Sequence, residues 1–343
     1  MNPTALIAPF SLFGQGIITL ITALSLLAGG LGLANLASPR PLAIPKGRLL
    51  LGVINLLFLV GFGLICWFHY RIYQTLPLEL PEEMVPWLNQ QIDAMNAQAA
   101  YAFPLFDPVH PPRYIIPLWV ENEKYYFWFM GFGLMAFSVF RRTANHRLQG
   151  TLLLFMAIQV GILFLSANPF KEPLPKFFKE IGPWFSGGGN PMERFGLFMR
   201  LYPRMIFYYN TPYMWLHPPM LFLSYSAITI TFITSIFMLV RRDPAIETLG
   251  YDCAKFGYFM LTLGMLLGYP WALQAWGPNW WWDPKICSSI MMWAIYSTYL
   301  HTRLYANKKS MWYFTSILGI VCFLAMVFTF VSSFYFPGEH TFQ

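Results

Sequence analysis

Residues 276–285 read Trp-Gly-Pro-Asn-Trp-Trp-Trp-Asp-Pro-Lys and connect two largely apolar runs, 254–275 and 286–305. Each run is close to the roughly 20 residues that a helix needs to cross the hydrocarbon core of a bilayer. Four of the thirteen tryptophans in the chain fall within seven residues of this connection. The pattern predicts two membrane helices joined by a short aromatic turn at the membrane surface.

The rest of the chain is also largely apolar. With 57% hydrophobic and 11% charged residues it is too apolar to cover a soluble surface. We predict an all-α integral membrane protein, a polytopic bundle of about eight transmembrane helices with two long outer loops. The predicted spans lie near 9–35, 49–71, 123–140, 149–166, 209–240, 254–275, 286–305 and 310–335. Their unbroken apolarity differs from the alternation over about 10 residues that is typical of barrel strands.

Basic residues indicate the orientation of these spans. They follow the first, third, fifth and seventh spans: Arg40, Lys46, Arg48, Arg141, Arg142, Arg147, Arg241, Arg242, Arg303, Lys308 and Lys309. Short loops rich in Lys and Arg face the cytoplasm, so both termini and the tryptophan segment are predicted to face outward. The Lys and Arg residues behind the net charge of +7 therefore set topology and do not indicate nucleic-acid binding.

Two of the outer connections are long, roughly 72–122 and 167–208, and are rich in Pro, Gly and aromatic residues. We interpret them as a cap that packs over the bundle, with disorder as the alternative for the first, which contains QQIDAMNAQAA. We predict two regions: residues 1–208, the first four spans with the long loops, and residues 209–343, the last four spans with the tryptophan segment.

The tryptophan segment has a spacing, WGxxWxWDP, that suits a rigid aromatic surface. An interfacial belt of tryptophans is the alternative interpretation. A belt, however, needs neither this spacing nor glycine and proline to fix a turn. A flat aromatic surface at the membrane would suit a planar, hydrophobic macrocycle such as heme, whose faces can stack on it.

Heme also needs axial ligands, and histidine is a usual one. His217 lies at the predicted start of the fifth span and His340 follows the last span. We expect Pro218 and Pro219, directly after His217, to fall in the first helical turn, whose N–H groups have no intrahelical partner. The predicted topology puts His217, His340 and the tryptophan segment on one face, so a heme between the two imidazoles would use all three features.

His301 is a candidate ligand of a different kind. It comes 18 residues after Asp283, about 27 Å along a helix at 1.5 Å per residue. An ionisable ring within a membrane helix is a functional candidate, here as a ligand to a second, deeper heme. The alternative is a histidine that reaches the inner interface beside Arg303. His69, near the outer end of the second span, and His146, in an inner loop, are not convincing partners for it.

These residues together resemble the WWD-domain heme-handling proteins of cytochrome c biogenesis. The family signature resembles WGxxWxWDPxE, and residues 276–286, WGPNWWWDPKI, match every position but the last. Residues 216–225, LHPPMLFLSY, resemble the first outer histidine motif, with the HPP form of the CcmF type and the HxxMxxxSY frame of the CcsA (ResC) type. Length and helix number are closer to CcsA than to the larger CcmF or the shorter CcmC.

The resemblance implies a protein that presents non-covalent heme b to an apocytochrome c for thioether attachment, as a subunit of a cytochrome c heme lyase (holocytochrome c synthase). His217 and His340 would ligate the iron, and the platform would be shaped by Trp276, Gly277, Trp280, Trp281, Trp282, Asp283 and Pro284. Lys285 would pair with a heme propionate or face the lipid headgroups. The resemblance also implies a CcsB- or ResB-like membrane partner and a bacterial inner or thylakoid-type membrane.

Two departures from the family pattern keep a second function open. Ile286 stands where the family normally has Glu, and a second transmembrane histidine has no clear candidate. Both features weigh against a deeper heme and full synthase activity. The alternative is a heme-bearing or structural membrane subunit of a respiratory or photosynthetic electron-transfer complex, with long outer loops that dock a c-type cytochrome. A solute transporter without heme is supported by little beyond the helix count.

Overall fold

The computed structural model describes residues 3–78, 80, 82–97, 104–185, 191–277, 280–305 and 308–338. Its α-helices are α1 (Pro3–Ala37), α2 (Ile44–Thr75), α3 (Val85–Asn96), α4 (Glu123–Arg142), α5 (His146–Ser166), α6 (Pro175–Phe185), α7 (Pro191–Arg204), α8 (Tyr213–Val240), α9 (Pro244–Trp276), α10 (Pro284–Arg303) and α11 (Lys309–Tyr335). In these ranges the only β pairing is an isolated bridge between Pro77 and Arg113. The predicted all-α class is confirmed.

Eight helices, α1, α2, α4, α5 and α8 to α11, correspond in order to the eight predicted spans. Six of them are long and apolar enough to cross a membrane; α4 and α10, with 20 residues each, have the length but are less apolar. The protein is therefore a polytopic all-α membrane protein.

Several helices continue past the predicted spans because polar residues cap them beyond the apolar run. In α9, the carboxylate of Asp243 accepts hydrogen bonds from the backbone N–H groups of Ala245 and Ile246 at 3.0 and 3.4 Å. Pro244 occupies the first helical position, where no N–H is needed. This cap starts α9 ten residues before the predicted span, which counted only apolar positions.

Side-chain contacts show which helix ends meet. The start of α1 meets the end of α2 through stacked Phe10 and Phe68, whose ring centroids are 4.1 Å apart. The starts of α4 and α10 lie at the same end of the bundle as the start of α1 and the end of α2. We call this end the tryptophan side because α9 and α10 are joined there. On the opposite side, Glu247 of α9 forms an ion pair with Arg303 of α10.

Close packing between helices relies on small residues, as is common within membranes. Gly32 of α1 and Gly150 of α5 face each other, and a Cβ added to Gly32 would lie 2.5 Å from the Gly150 carbonyl oxygen. The most buried span is α8, which packs against α4, α9 and α11. It links the first four long helices to the last three.

The two long connections form a cap on the tryptophan side, as predicted for loops that pack. They contain α3, α6 and α7, and the first runs into α4. Phe106 of the first connection packs edge-on against Phe198 of the second at 5.3 Å, and the Tyr202 hydroxyl donates to the Pro104 carbonyl oxygen at 3.0 Å. In the stretch where disorder was the alternative, residues 90–96 belong to α3, and residues 98–100 lie outside the described residues.

Candidate functional site

The tryptophan segment begins and ends at two well-defined caps. α9 ends at Trp276, and Gly277 adopts φ 74°, a conformation that favours glycine. Asp283 caps α10: its Oδ1 accepts from the backbone N–H groups of Lys285 and Ile286 at 2.9 and 3.2 Å. Pro284 then takes the first helical position. The Asp-Pro pair is an ordinary helix-start signal, so the structure gives Asp283 a capping role that sequence reasoning missed.

The four tryptophans of the segment do not share one plane. Trp280 and Trp281 are stacked, with ring centroids 5.9 Å apart and an angle of 12°. Trp276 instead packs edge-on against Trp271 of α9, at 4.7 Å. Trp282 is 83% exposed. The segment therefore offers a stacked pair and one projecting indole, while Trp276 belongs to the surroundings of α9.

His217 is held against α9 by three features. Its Nδ1 lies 2.6 Å from the carbonyl oxygen of Gly264. Because a carbonyl oxygen only accepts, Nδ1 carries the hydrogen, which leaves the lone pair of a neutral imidazole on Nε2. The ring lies nearly parallel to Trp271 at 6.3 Å, and a Cβ added to Gly268 would lie 2.6 Å from its Cε1. Trp271 is in turn anchored by a hydrogen bond to the Phe207 carbonyl oxygen at 3.2 Å.

The prediction that Pro218 and Pro219 lie in the first turn is wrong, because α8 begins at Tyr213 and both prolines fall in its second turn. Pro218 has no N–H to donate to the carbonyl oxygen of Met214, four residues earlier. The indole N–H of Trp119 donates to that oxygen instead. Trp119, from the connection before α4, thus compensates for a proline next to His217.

Two residues that follow Trp119 contact two further helices, α6 and α2. Glu121, at φ 47°, accepts hydrogen bonds from the backbone N–H groups of Lys176 and Phe177, both at 2.9 Å, and so caps α6. Burial raises the pKa of the Glu121 carboxyl, and these two hydrogen bonds partly offset the rise. Glu123 lies 3.2 Å from Nε2 of His69 in α2. Residues 119–123 therefore join α2, α6 and α8, and sequence patterns gave no signal for these distant partners.

The remaining histidines occupy different environments. His301 is exposed in the last turn of α10, on the side opposite the tryptophan segment. His69 is buried on the tryptophan side and bonded to a carboxylate and a carbonyl. His146 contacts the Ser38 carbonyl oxygen at 3.2 Å. His340 lies outside the described residues.

The last described residue, Gly338, lies beside the cap of α10. A Cβ added to Gly338 would be 2.6 Å from Oδ2 of Asp283 and 2.7 Å from Cδ of Pro284. The close approach requires glycine there. The described chain thus ends next to the tryptophan segment and on the same side of the bundle as His217.

The fold and this site define a polytopic helical membrane protein with a backbone-anchored histidine and an aromatic turn on one side. A sequence model of the family described as Cytochrome C assembly protein matches residues 119–340. The chain belongs to this family, and its resemblance is to the CcsA-like cytochrome c biogenesis proteins. The match begins at Trp119, which extends the similarity beyond residues 209–343 into α4 and α5.

Two curated relatives illustrate the likeness. The "Cytochrome c biogenesis protein CcsA" of Cyanidium caldarium is 38% identical over 84 residues, 23% of this chain and 28% of the relative. That of Cyanophora paradoxa is 39% identical over 66 residues, 19% of this chain and 20% of the relative. These matches thus span less than a third of either protein.

A solved structure shares the fold. The "Cytochrome c Heme Lyase CcmF" aligns with a TM-score of 0.58 at 16% sequence identity, over 94% of this chain and 50% of that chain. At this identity the likeness concerns the arrangement of helices alone.

Proposed function

We propose that this chain presents heme b on the tryptophan side to an apocytochrome c, with His217 and His340 as the residues that would hold the iron. The observation that carries the proposal is the hydrogen bond from Nδ1–H of His217 to the Gly264 carbonyl oxygen, at 2.6 Å. Histidines that bind metals usually donate their other ring N–H to a carbonyl or carboxylate, which fixes the tautomer and the ring orientation. The donor chemistry of His217 therefore fits heme iron.

The residues around His217 restrict the orientation of its imidazole ring, which suits a side chain that binds a metal. Trp271 lies along one face of the ring and Gly268 leaves no room for a side chain beside it. The stacked pair Trp280 and Trp281 offers an aromatic surface on the same side, where indole faces attract a planar macrocycle. We assign Trp276, Gly277, Asp283 and Pro284 to holding this surface in place.

When bound, heme would supply the vinyl groups that take up the two thiols of a CxxCH segment as thioethers. The contribution of this chain is positioning: His217 and His340 hold the iron, and the tryptophan turn limits the directions from which a polypeptide can approach. Lys285 is proposed as a partner of a heme propionate, since α10 begins directly after the turn.

Topology and partners follow from the same proposal. The tryptophan side would face outward in a bacterial inner or thylakoid-type membrane, because the basic loops lie at the opposite ends of the helices. A CcsB- or ResB-like membrane protein is the proposed partner, and residues 209–343 are the proposed heme-handling region. His301, on the opposite side, is retained as a candidate ligand for a second heme.

Heme content tests the assignment. We would purify the full chain with its partners, measure heme per protein as the pyridine hemochrome, and compare His217→Ala and His340→Ala with His110→Ala. His110 is a matched control because its side chain is 83% exposed and pairs with Asp107 in the cap. We expect extractable b-type heme to fall in the first two variants only. Unchanged heme in the double variant would refute the proposed ligands.

The second candidate function is a heme-bearing or structural subunit of an electron-transfer complex. It is favoured by the helical cap, where the 42% exposed ring of Trp87 packs on Phe195 at 3.9 Å and offers an aromatic docking surface. Complementation separates the two functions. Restoration of c-type cytochromes in a synthase-deficient cell supports maturation, whereas a stable copurifying redox complex without restoration supports the subunit role.

A further inference from the structure

A groove of about 450 Å³ opens toward lipid between α1 and α2 on the tryptophan side. It is lined by Leu6, Pro9, Phe13, Leu64, Trp67 and Arg71. The lining residues recur every three or four positions, so they form one stripe on each helix. Phe10 and Phe68, the sequence neighbours of Pro9 and Trp67, are buried and stack on each other between the same two helices.

Arg71 places a positive charge at one end of this apolar groove. Its Nε is buried and has no hydrogen-bond partner among the described residues, and none of the ion pairs formed by those residues involves it. A buried guanidinium nitrogen without a partner is costly in free energy. The arrangement therefore calls for an acceptor beyond the described residues.

The depth of Arg71 indicates what kind of acceptor reaches it. Its neighbours on α2, Tyr70 and Tyr73, are 57% and 40% exposed, and exposed tyrosines are typical of the headgroup level. α2 ends four residues later, at Thr75. Arg71 thus lies at the depth of lipid phosphates, while Leu64, seven residues earlier, lies about 10 Å deeper at 1.5 Å per residue.

We propose that this groove binds one anionic phospholipid of the leaflet on the tryptophan side. Its phosphate would accept hydrogen bonds from Arg71, whose planar guanidinium matches phosphate geometry. One acyl chain would follow Pro9, Phe13 and Leu64 into the membrane. An anionic headgroup is favoured over a zwitterionic one because no described carboxylate offsets the charge of Arg71.

A second groove in the same chain supplies a matched control. It measures about 360 Å³ and is lined by Pro45, Arg48, Leu49, Gly52, Val53, Leu56 and Phe137, on the side opposite the tryptophan segment. It too combines apolar side chains with one arginine. Arg48, however, is exposed, so its guanidinium can be hydrated without a lipid.

The test is native mass spectrometry of the full chain in detergent, titrated with dioleoylphosphatidylglycerol and, separately, with dioleoylphosphatidylcholine. We expect the most tightly bound phosphatidylglycerol molecule to bind about tenfold more weakly in Arg71→Gln. This is the loss of affinity expected when one charge-assisted hydrogen bond is removed. Arg48→Gln should change that affinity by less than about twofold. Arg71→Lys, which keeps the charge and the fold but lacks the guanidinium fork, should lie between them.

Leu64→Trp tests the acyl-chain half of the site without altering its charge. We expect it to weaken the same bound lipid, because the larger side chain occupies the groove. The proposal is overturned if Arg71→Gln has no larger effect than Arg48→Gln, or if the two lipids bind the wild-type chain equally. It is also overturned if a partner protein, captured through Arg71, displaces phosphatidylglycerol from the groove.

Discussion

Two histidines on the tryptophan side have similar anchors but different surroundings. His69 and His217 each place Nδ1 on a backbone carbonyl oxygen, of Ile116 at 2.9 Å and of Gly264 at 2.6 Å. The other nitrogen of His69 meets the carboxylate of Glu123, at 3.2 Å. The ring of His217 instead lies beside Trp271 and against the backbone of Gly268.

From these surroundings we infer a structural role for His69 and a ligand-binding role for His217. His69 is 5% exposed and Glu123 is 1% exposed, and the pair ties α2 to α4 where the cap meets the bundle. Such a buried pair holds structure in place, since removal of either partner leaves the other buried without compensation. His217, in α8, is only half-buried. It packs against the part of α9 that leads into the tryptophan turn. We propose that His217 is the ring that binds an external ligand.

Removal of the buried pair between His69 and Glu123 should destabilise the protein more than any other single substitution proposed below. His69→Leu leaves the Glu123 carboxylate buried without its partner, and we expect a loss of about 3–5 kcal/mol in the free energy of unfolding. Denaturant unfolding in detergent micelles measures it. His110→Leu is the exposed control and should change little. Heme per folded chain should stay constant in His69→Leu, and its selective loss would show that His69 serves the heme site.

The next prediction concerns the position of the His217 ring. Gly268→Ala places a methyl group 2.6 Å from Cε1 of His217, so the ring must move. We expect heme affinity to fall by about 2 kcal/mol, roughly thirtyfold, as in overpacked sites. Heme titration followed at the Soret band measures this. Gly161→Ala is the control, because its added Cβ meets nothing within 4 Å. Equal affinities in the two variants would argue against the proposed ligand geometry.

A smaller effect concerns the proline next to His217. Trp119→Phe removes the N–H that bonds the Met214 carbonyl oxygen but keeps an aromatic ring beside Trp215, which Trp119 contacts edge-on at 5.7 Å. We expect a loss of about 1.5 kcal/mol in the free energy of unfolding. Trp87→Phe in the cap is the control. Equal stability of the two variants would mean that the carbonyl finds another donor.

The smallest effect concerns the cap of α10. Asp283→Ala should cost about 1 kcal/mol, and Asp283→Asn should cost less because asparagine is also a good N-cap. Hydrogen exchange at the amides of Lys285 and Ile286 follows the first turn directly. If Asn were as damaging as Ala, the carboxylate charge would have a role beyond capping.

The sequence predicted the parts of this fold that depend on local pattern. Long apolar runs placed eight helices in order, because a bilayer imposes both length and composition on each span. Glycine and proline around the tryptophans indicated a fixed turn, and the structure has caps at Gly277 and Asp283. The family resemblance followed from the same segment.

Contacts between distant residues could not be predicted in this way. Trp119 meets Met214, 95 residues later, and His69 meets Glu123, 54 residues later. Nothing in the periodicity of either segment identifies its partner. The position of Pro218 was misjudged for a related reason: a proline in the second turn is tolerated only because a remote indole satisfies the carbonyl that it leaves without a donor.

We propose that His217, and not His69, ligates heme iron. The most direct measurement is the ferric electron paramagnetic resonance spectrum of the heme-loaded full chain in the wild type, His217→Ala and His69→Leu. We predict a low-spin spectrum, typical of two nitrogen ligands, in the wild type and in His69→Leu, and a high-spin spectrum or loss of heme in His217→Ala. A low-spin signal that survives unchanged in His217→Ala would rule out His217 as the ligand.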